Sequence, residues 1–191
     1  MTYATLKSDI AAWTHRADLT SVIPSFVAMA EADIFKTGKP ALRVREMETE
    51  AALTVTSLAA TLPSDFLEAR YIKQDDSGER TLFYRPPEDW TQEHSGYFTI
   101  VGGEIRLPTG FTVNLNLVYY AKPAALSADG DTNTILEDYY QAYLSASLKH
   151  ASIYTKDQAT AQIHENALSA FIASANAANR NVIGPLAVRS A

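Results

Sequence analysis

The residue types that could perform chemistry occur in this sequence, but not at the spacings that chemistry needs. The four histidines are His15, His94, His150 and His164. None belongs to a His-x-x-x-His or His-x-Glu pattern, which would bring two metal ligands together. The absence of cysteine excludes thiolate metal sites, a cysteine nucleophile and a disulfide framework. We therefore expect no metal, no cofactor and structural or surface roles for the histidines.

The segment Asp129–Asn133 is the nearest approach to a calcium loop. Counted from Asp129, however, the sixth position is Thr134 instead of glycine, and the twelfth is Tyr140 instead of a bidentate acid. A polar turn before a helix is the expected structure. No Gly-x-Ser-x-Gly elbow, Walker loop or Gly-x-Gly-x-x-Gly pattern occurs, so no residue is assigned to catalysis.

Composition favours a folded protein that does not clamp nucleic acid. The chain has 191 residues, of which 47% are hydrophobic and 20% charged, enough for one sizeable core. Its net charge of -6 is spread out, without the basic face that neutralises phosphates. No segment approaches 18 consecutive apolar residues, and the N-terminus lacks the apolar run of a signal peptide. We expect a soluble protein made in a cytoplasm.

Hydrophobic spacing divides the first two thirds of the chain into helices and strands. Apolar residues three and four apart predict a helical hairpin over residues 1–41, which Gly38 and Pro40 end. From Leu42 the period changes to two, which predicts a β insertion over residues 42–121. Turn residues divide it into five or six short strands, with a two-residue hairpin at Val101–Glu104. The prediction is a small antiparallel sandwich or barrel.

The last third of the chain returns to helical spacing. Thr134–Glu137 fits a capping box that opens a third helix reaching about Tyr154, and a fourth helix runs from Asp157 to about Asn179. Together, residues 122–180 are expected to complete the bundle. The predicted fold is α+β, with about four helices, two N-terminal and two C-terminal, around the β insertion. Residues 181–191 have no helical period and form an extended tail.

Two apolar surfaces in the C-terminal third are candidates for contact with other proteins. On the third helix, one arc carries Tyr139, Tyr143, His150 and Tyr154, and either the protein's own core or a subunit interface explains it. The tail carries the apolar residues Val182, Ile183, Leu186 and Val188. They need a partner surface, because Gly184-Pro185 prevents them from continuing the fourth helix. The alternative is a tail that folds back over its own bundle.

Short motifs in a consistent order and spacing cover residues 1 to about 180. They are Trp13–Leu19, Ile23–Val27, Ala30–Ile34, Arg43–Glu48, Leu62–Glu68, Val118–Tyr120, Leu126-Ser127, Asn133, Leu136, Tyr139-Tyr140, Tyr143-Leu144 and Ala151–Tyr154. With these motifs the chain resembles the tailed-phage head-to-tail adaptor proteins, also called head completion or gatekeeper-type connector proteins.

The resemblance implies a virion protein without enzymatic activity. Such a protein forms a homo-oligomeric ring, twelve-fold in the virion, between the portal protein and the tail or nozzle proteins. It takes part in tail assembly and DNA ejection, because DNA passes through its channel, and it does not bind a membrane. The tail would dock on the portal or on a neighbouring subunit. The alternative function is a non-catalytic β-domain module, carried by Leu42–Tyr120, that binds carbohydrate or a host surface.

Overall fold

Helix α1 spans Tyr3–Thr14 in the computed structural model, which describes residues 1–37, 40–76 and 80–181. The Thr2 hydroxyl caps its start by accepting from the Thr5 amide, and His15 ends it in the left-handed conformation. Tyr3, Leu6 and Ile10 are buried, as their spacing predicts. The predicted first helix is confirmed.

Helix α2 spans Ile23–Ala32 and supplies the second apolar stripe. Pro24 lies in its first turn, where a missing amide donor costs nothing. The helix passes into a π-helical turn, Asp33–Thr37, in which Ile34 and Phe35 are both fully buried.

The C-terminal helices are α3 (Thr134–Asp138), α4 (Tyr140–Tyr154) and α5 (Gln158–Asn181). Asn133 caps α3, because its side-chain oxygen accepts from the Leu136 amide at 2.8 Å. The cap therefore lies one residue before the predicted capping box. Helix α4 contacts α1, α2 and α5, so it is the central helix of the bundle.

The prediction of about four helices is wrong, because the predicted third helix is broken at Tyr139. This residue leaves the helical conformation, with φ -123° and ψ 36°. Its ring packs edge-on against Phe171 of α5, and its hydroxyl donates to Glu46 at 3.0 Å. These contacts compete with helix continuation, and the described residues consequently form five α-helices.

The prediction that β structure begins at Leu42 is also wrong. The alternation is real, since Leu42 and Val44 are fully buried. The partner of this extended segment is a helix, however. The Arg43 amide donates to Asn176 of α5 at 2.8 Å, and the Asn176 amide donates to the Ala41 carbonyl at 2.8 Å. A helix side chain thus makes the hydrogen bonds that a neighbouring strand would make.

Seven strands form one curled mixed sheet, a half-barrel, in the order β1-β7-β3-β4-β5-β6-β2. They are β1 (Glu48–Leu53), β2 (Ala59–Thr61), β3 (Phe66–Gln74), β4 (Thr81–Tyr84), β5 (Tyr97–Val101), β6 (Glu104–Arg106) and β7 (Leu115–Ala121). The predicted antiparallel sandwich or barrel of five or six strands is therefore wrong in strand number and arrangement. The sequence signal missed β2, which is short and alanine-rich.

One core cluster underlies this sheet, and it includes Ile72, Ile105 and Leu117, which are all fully buried. Strands β4 and β5 are parallel, because the connection 85–96 is long enough to cross over between them. The predicted hairpin is confirmed. Val101 pairs with Glu104, and both Gly102 and Gly103 have positive φ.

Contacts between residues group the chain into two compact units. The β unit is Met47–Lys122, and the helical unit is formed by Met1–Glu46 together with the chain from Pro123 onward. The helical unit is therefore assembled from two segments that lie on either side of the β unit in sequence.

Asn176 gives the first prediction. We expect Asn176→Ala to lower the free energy of unfolding by about 1 to 3 kcal/mol, because it removes two hydrogen bonds to partly buried backbone groups. Urea denaturation measures the change. Asn166→Ala, at an exposed position of the same helix, is the matched control and should change stability by less than about 0.5 kcal/mol. Equal effects of the two substitutions would contradict this role for Asn176.

Candidate interaction surfaces

An ionic cluster joins three helical elements of the helical unit. His150 Nε2 lies 2.7 Å from Asp33 Oδ2, and Lys149 forms an ion pair with the same oxygen. Lys149 also lies 2.9 Å from Glu165 of α5. His150, a predicted interface residue, is therefore held by an acid of its own chain.

The cluster shifts the pKa values of its members. Burial alone would raise the pKa of Asp33, but the hydrogen bonds and charges of Lys149 and His150 outweigh it and lower that pKa. Burial likewise opposes the charge of Lys149, but Asp33 and Glu165 raise its pKa above the usual value. Both charged forms are thus favoured in the folded state near neutral pH.

Tyr143 is in the protein's own core. It is fully buried, packs edge-on against Phe35, and its hydroxyl accepts from Asn133 at 3.2 Å. Burial raises its pKa. Tyr154 is different, because 58% of it is exposed while its ring touches Phe26. The structure thus does not bring the four predicted interface residues together on one surface, and Tyr154 is the one that presents a large apolar face.

A recess of about 310 Å³ lies at the C-terminal ends of α1 and α4. Trp13, 63% exposed, lines it together with Arg16, Asp157 and His164. Burial lowers the pKa of His164, which keeps its imidazole neutral at pH 7. With Tyr154 exposed near the ends of the same helices, this end of the unit combines exposed aromatic area with polar groups.

A larger cleft, of about 750 Å³, lies in the β unit between β3 and the pair β4 and β5. Residues 66–71 form one wall, and Phe83 and Tyr84 stand on the other side, more than half exposed. No sequence pattern indicated this cleft, because it arises where β3 and β4 separate.

Several carboxylates have structural partners within the chain. Asp65 accepts from the Tyr119 hydroxyl at 3.0 Å, and burial together with this hydrogen bond raises the pKa of Tyr119 to about 12. Asp129 pairs with Lys7 at 2.5 Å, and Asp131 accepts from the amides of Ser127 and Ala128. The prediction of a polar turn at Asp129–Asn133 is confirmed.

The described residues contain no group of three or more His, Asp or Glu side chains placed to hold a metal ion. None of the helices in that part of the chain is both long and apolar enough to cross a membrane. The predicted docking residues Val182, Ile183, Leu186 and Val188 lie outside the described residues.

The described residues thus form an α+β protein with exposed aromatic side chains, including Trp13 and Tyr154. Residues 1–189 match the family model of the SU10 adaptor protein. The chain therefore belongs to this family of bacteriophage head-tail adaptors, which are structural, non-enzymatic proteins of the virion. The predicted family is confirmed. No curated protein matches the chain significantly in sequence.

The ionic cluster gives the second prediction. Because the pKa of Asp33 is lowered in the folded state, its stabilising contribution is present above its ordinary pKa of 3.8 and is lost as the pH falls below that value. Asp33→Asn should lower stability by about 1 to 2 kcal/mol at pH 7, since solvent partly screens the cluster.

Urea denaturation at pH 7 and at about pH 3 tests this dependence. Protonation of Asp33 at the lower pH should reduce the difference in free energy of unfolding between wild type and variant. Asp18→Asn removes an acid from the exposed pair with Arg16 and is the control, with little effect expected. If the difference in free energy of unfolding is the same at both pH values, the charge of Asp33 is not the cause of the stabilisation.

Proposed function

We propose that this protein forms a ring beneath the portal of its phage, with tail or nozzle proteins attached on the opposite side. The family match over residues 1–189 is the observation that carries this proposal. Twelve subunits in the virion are proposed from the resemblance to head-to-tail adaptors. The protein performs no catalysis, is made in the host cytoplasm and joins the head-tail connector during assembly.

Exposed aromatic residues support assembly by lateral contact. Tyr154 and Trp13 are both more than half exposed in the described helical unit, and such side chains gain most from burial at an interface. We propose that Tyr154 belongs to the subunit interface. The other three predicted interface residues then act indirectly, because they fix the position of α4. Tyr139 bonds to Glu46, Tyr143 to Asn133 and His150 to Asp33.

Charge supports a channel through which DNA passes without being held. Tight binding of duplex DNA needs Lys and Arg side chains that displace counterions from phosphates. The net charge of -6 does not supply such a surface over the chain as a whole. DNA would therefore move through the ring during ejection without tight binding.

The third prediction tests the ring. The isolated protein should sediment as a monomer or a weak oligomer and form rings when mixed with its portal protein, because the portal supplies part of the association entropy. Electron micrographs of the mixture should show a ring on the portal. A protein that stays monomeric on the portal would refute the adaptor ring.

A pair of variants locates the interface in the same assay. Tyr154→Arg should abolish rings, since it places a charge on the proposed contact, whereas Tyr154→Phe keeps the ring that touches Phe26 and should assemble normally. Rings formed by both variants would exclude Tyr154 from the interface. Circular dichroism melting confirms that both variants fold.

The fourth prediction concerns DNA. Duplex DNA should bind with a Kd of about 100 μM or weaker, which is the weak end of non-specific binding at physiological salt. Fluorescence anisotropy at about 0.15 M salt measures it. Submicromolar binding would contradict a channel that releases DNA freely.

A further inference from the structure

A second recess of the β unit, of about 310 Å³, lies on the face of β5 and β6 that is turned away from the core cluster. Phe98 belongs to that cluster and Ile100 packs against it, so Thr99 between them points to the opposite face. Arg106 of β6 is the register partner of Thr99 and shares this face. The segment that follows β4 covers it and contributes Pro87, Trp90 and Gln92 to the lining.

Two polar atoms at this recess are buried without a hydrogen bond. Among the described residues, neither the Thr99 hydroxyl nor the Trp90 indole nitrogen has a partner. Thr99 is 1% exposed, so its hydroxyl is also shielded from bulk solvent. A buried polar group without a partner costs folding free energy and is rare in native proteins. Because both residues line the same recess, a ligand that supplies both hydrogen bonds would explain them together.

The rest of the lining is mainly apolar and limits the size of the ligand. It includes Leu58, Pro87, Val101 and Leu107, and 46% of Val101 is exposed. A volume of about 310 Å³ lies at the lower end of the range for ligand pockets. The recess therefore fits one apolar side chain and the peptide unit next to it, not a large cofactor.

The margin of the recess is acidic. Residues 85–106 include four acids and two arginines. Three of the acids are exposed and adjoin lining residues along the chain: Glu88, Asp89 and Glu93. Arg106 is paired with Glu104 at 2.7 Å, and Arg85 lies over an aromatic ring. A ligand with Lys or Arg beside its apolar group therefore complements this margin better than an acidic ligand does.

We propose that this recess binds a peptide segment of the tail protein, which inserts one apolar side chain and offers its backbone to Trp90 and Thr99. The indole N–H donates to a peptide carbonyl, and the Thr99 hydroxyl pairs with a neighbouring carbonyl or amide. Trp90 is half-buried and lies outside the strands, so a small rotation of its ring brings the nitrogen to the peptide. A basic residue of the peptide then lies at the acidic margin.

The choice of the tail protein as partner rests on the proposed ring. In that proposal, single subunits join the portal, and each needs a contact that is strong enough alone. A recess that takes one side chain binds too weakly for this step, because association costs translational and rotational freedom. A tail protein with several copies of the segment meets a completed ring, in which every subunit presents the same recess. Weak contacts then combine into strong attachment.

The indole resonance of Trp90 tests the recess in the full-length protein. The chain has two tryptophans, so Trp13→Phe leaves Trp90 as the only source of an indole N–H signal. Overlapping peptides of the phage's tail protein are titrated into the isotope-labelled variant and followed by NMR. We expect a peptide with an apolar residue beside Lys or Arg to shift this resonance, and about 0.5 M salt to weaken its binding.

The proposal is wrong if no peptide of the tail protein shifts the Trp90 resonance. It is equally wrong if only peptides of the portal protein do so, because the recess would then serve a different partner.

Thr99→Val separates a binding role from a structural one. Valine has the shape of threonine without the hydroxyl, so the melting temperature should stay unchanged or rise. Peptide binding should weaken about two- to tenfold, because one hydrogen bond is lost. Thr61→Val, at an exposed position of β2, is the matched control and should change neither quantity. A large fall in melting temperature, or unchanged peptide binding, would contradict this role of Thr99.

Ring formation on the portal distinguishes this inference from the proposed function. Rings that form while no tail peptide shifts the Trp90 resonance would refute the recess and leave the adaptor ring intact. The shift without rings would support the recess and refute the ring.

Discussion

The helical unit depends on the backbone-like hydrogen bonds of Asn176. Its amide accepts from Arg43 and donates to Ala41, and Asn179 one turn later accepts from the Arg45 amide at 3.0 Å. These contacts fix the segment at which the chain leaves the helical unit. Because the helices before and after the β unit must meet correctly, the position of this exit segment constrains how α2 and α4 pack.

The ionic cluster around Asp33 also stabilises the packing of the helical unit, through residues that are far apart in sequence. Asp33 ends α2, whereas Lys149 lies on α4 and Glu165 on α5, so three helical elements share one set of charges. A partly buried acid between two bases is costly to leave unpaired, and the pairing therefore favours one relative placement of the helices. The cluster thus adds specificity to an apolar core rich in small residues, such as Ala142, Ala146 and Ser147.

Local sequence patterns predicted helices and strands, and contacts between residues distant in sequence caused the departures from those predictions. The spacing of Tyr3, Leu6 and Ile10 and the Gly102-Gly103 turn suffice for α1 and for one hairpin, because both depend on neighbouring residues. Tyr139 breaks a helix through contacts with Phe171 and Glu46, which no local pattern reveals.

The candidate interaction surfaces also depend on long-range contacts that the sequence does not reveal. One tyrosine arc on α4 divides into buried Tyr143 and exposed Tyr154, since burial depends on which neighbouring helix covers each position. The cleft of the β unit was not predictable, because it requires knowing that β3 continues past the end of β4.

Strand β3 pairs with β4 only at Ile72 and Lys73, so the cleft of the β unit borders an edge of the sheet. An exposed strand edge with apolar walls invites aggregation, and proteins usually protect such edges with charge, proline or a short length. Here Pro86 and Pro87 end β4 early, and register shifts interrupt β3 between Phe66 and Glu68 and between Ala69 and Tyr71. Such irregular edges disfavour direct pairing between two sheets, because a rigid partner strand cannot follow them.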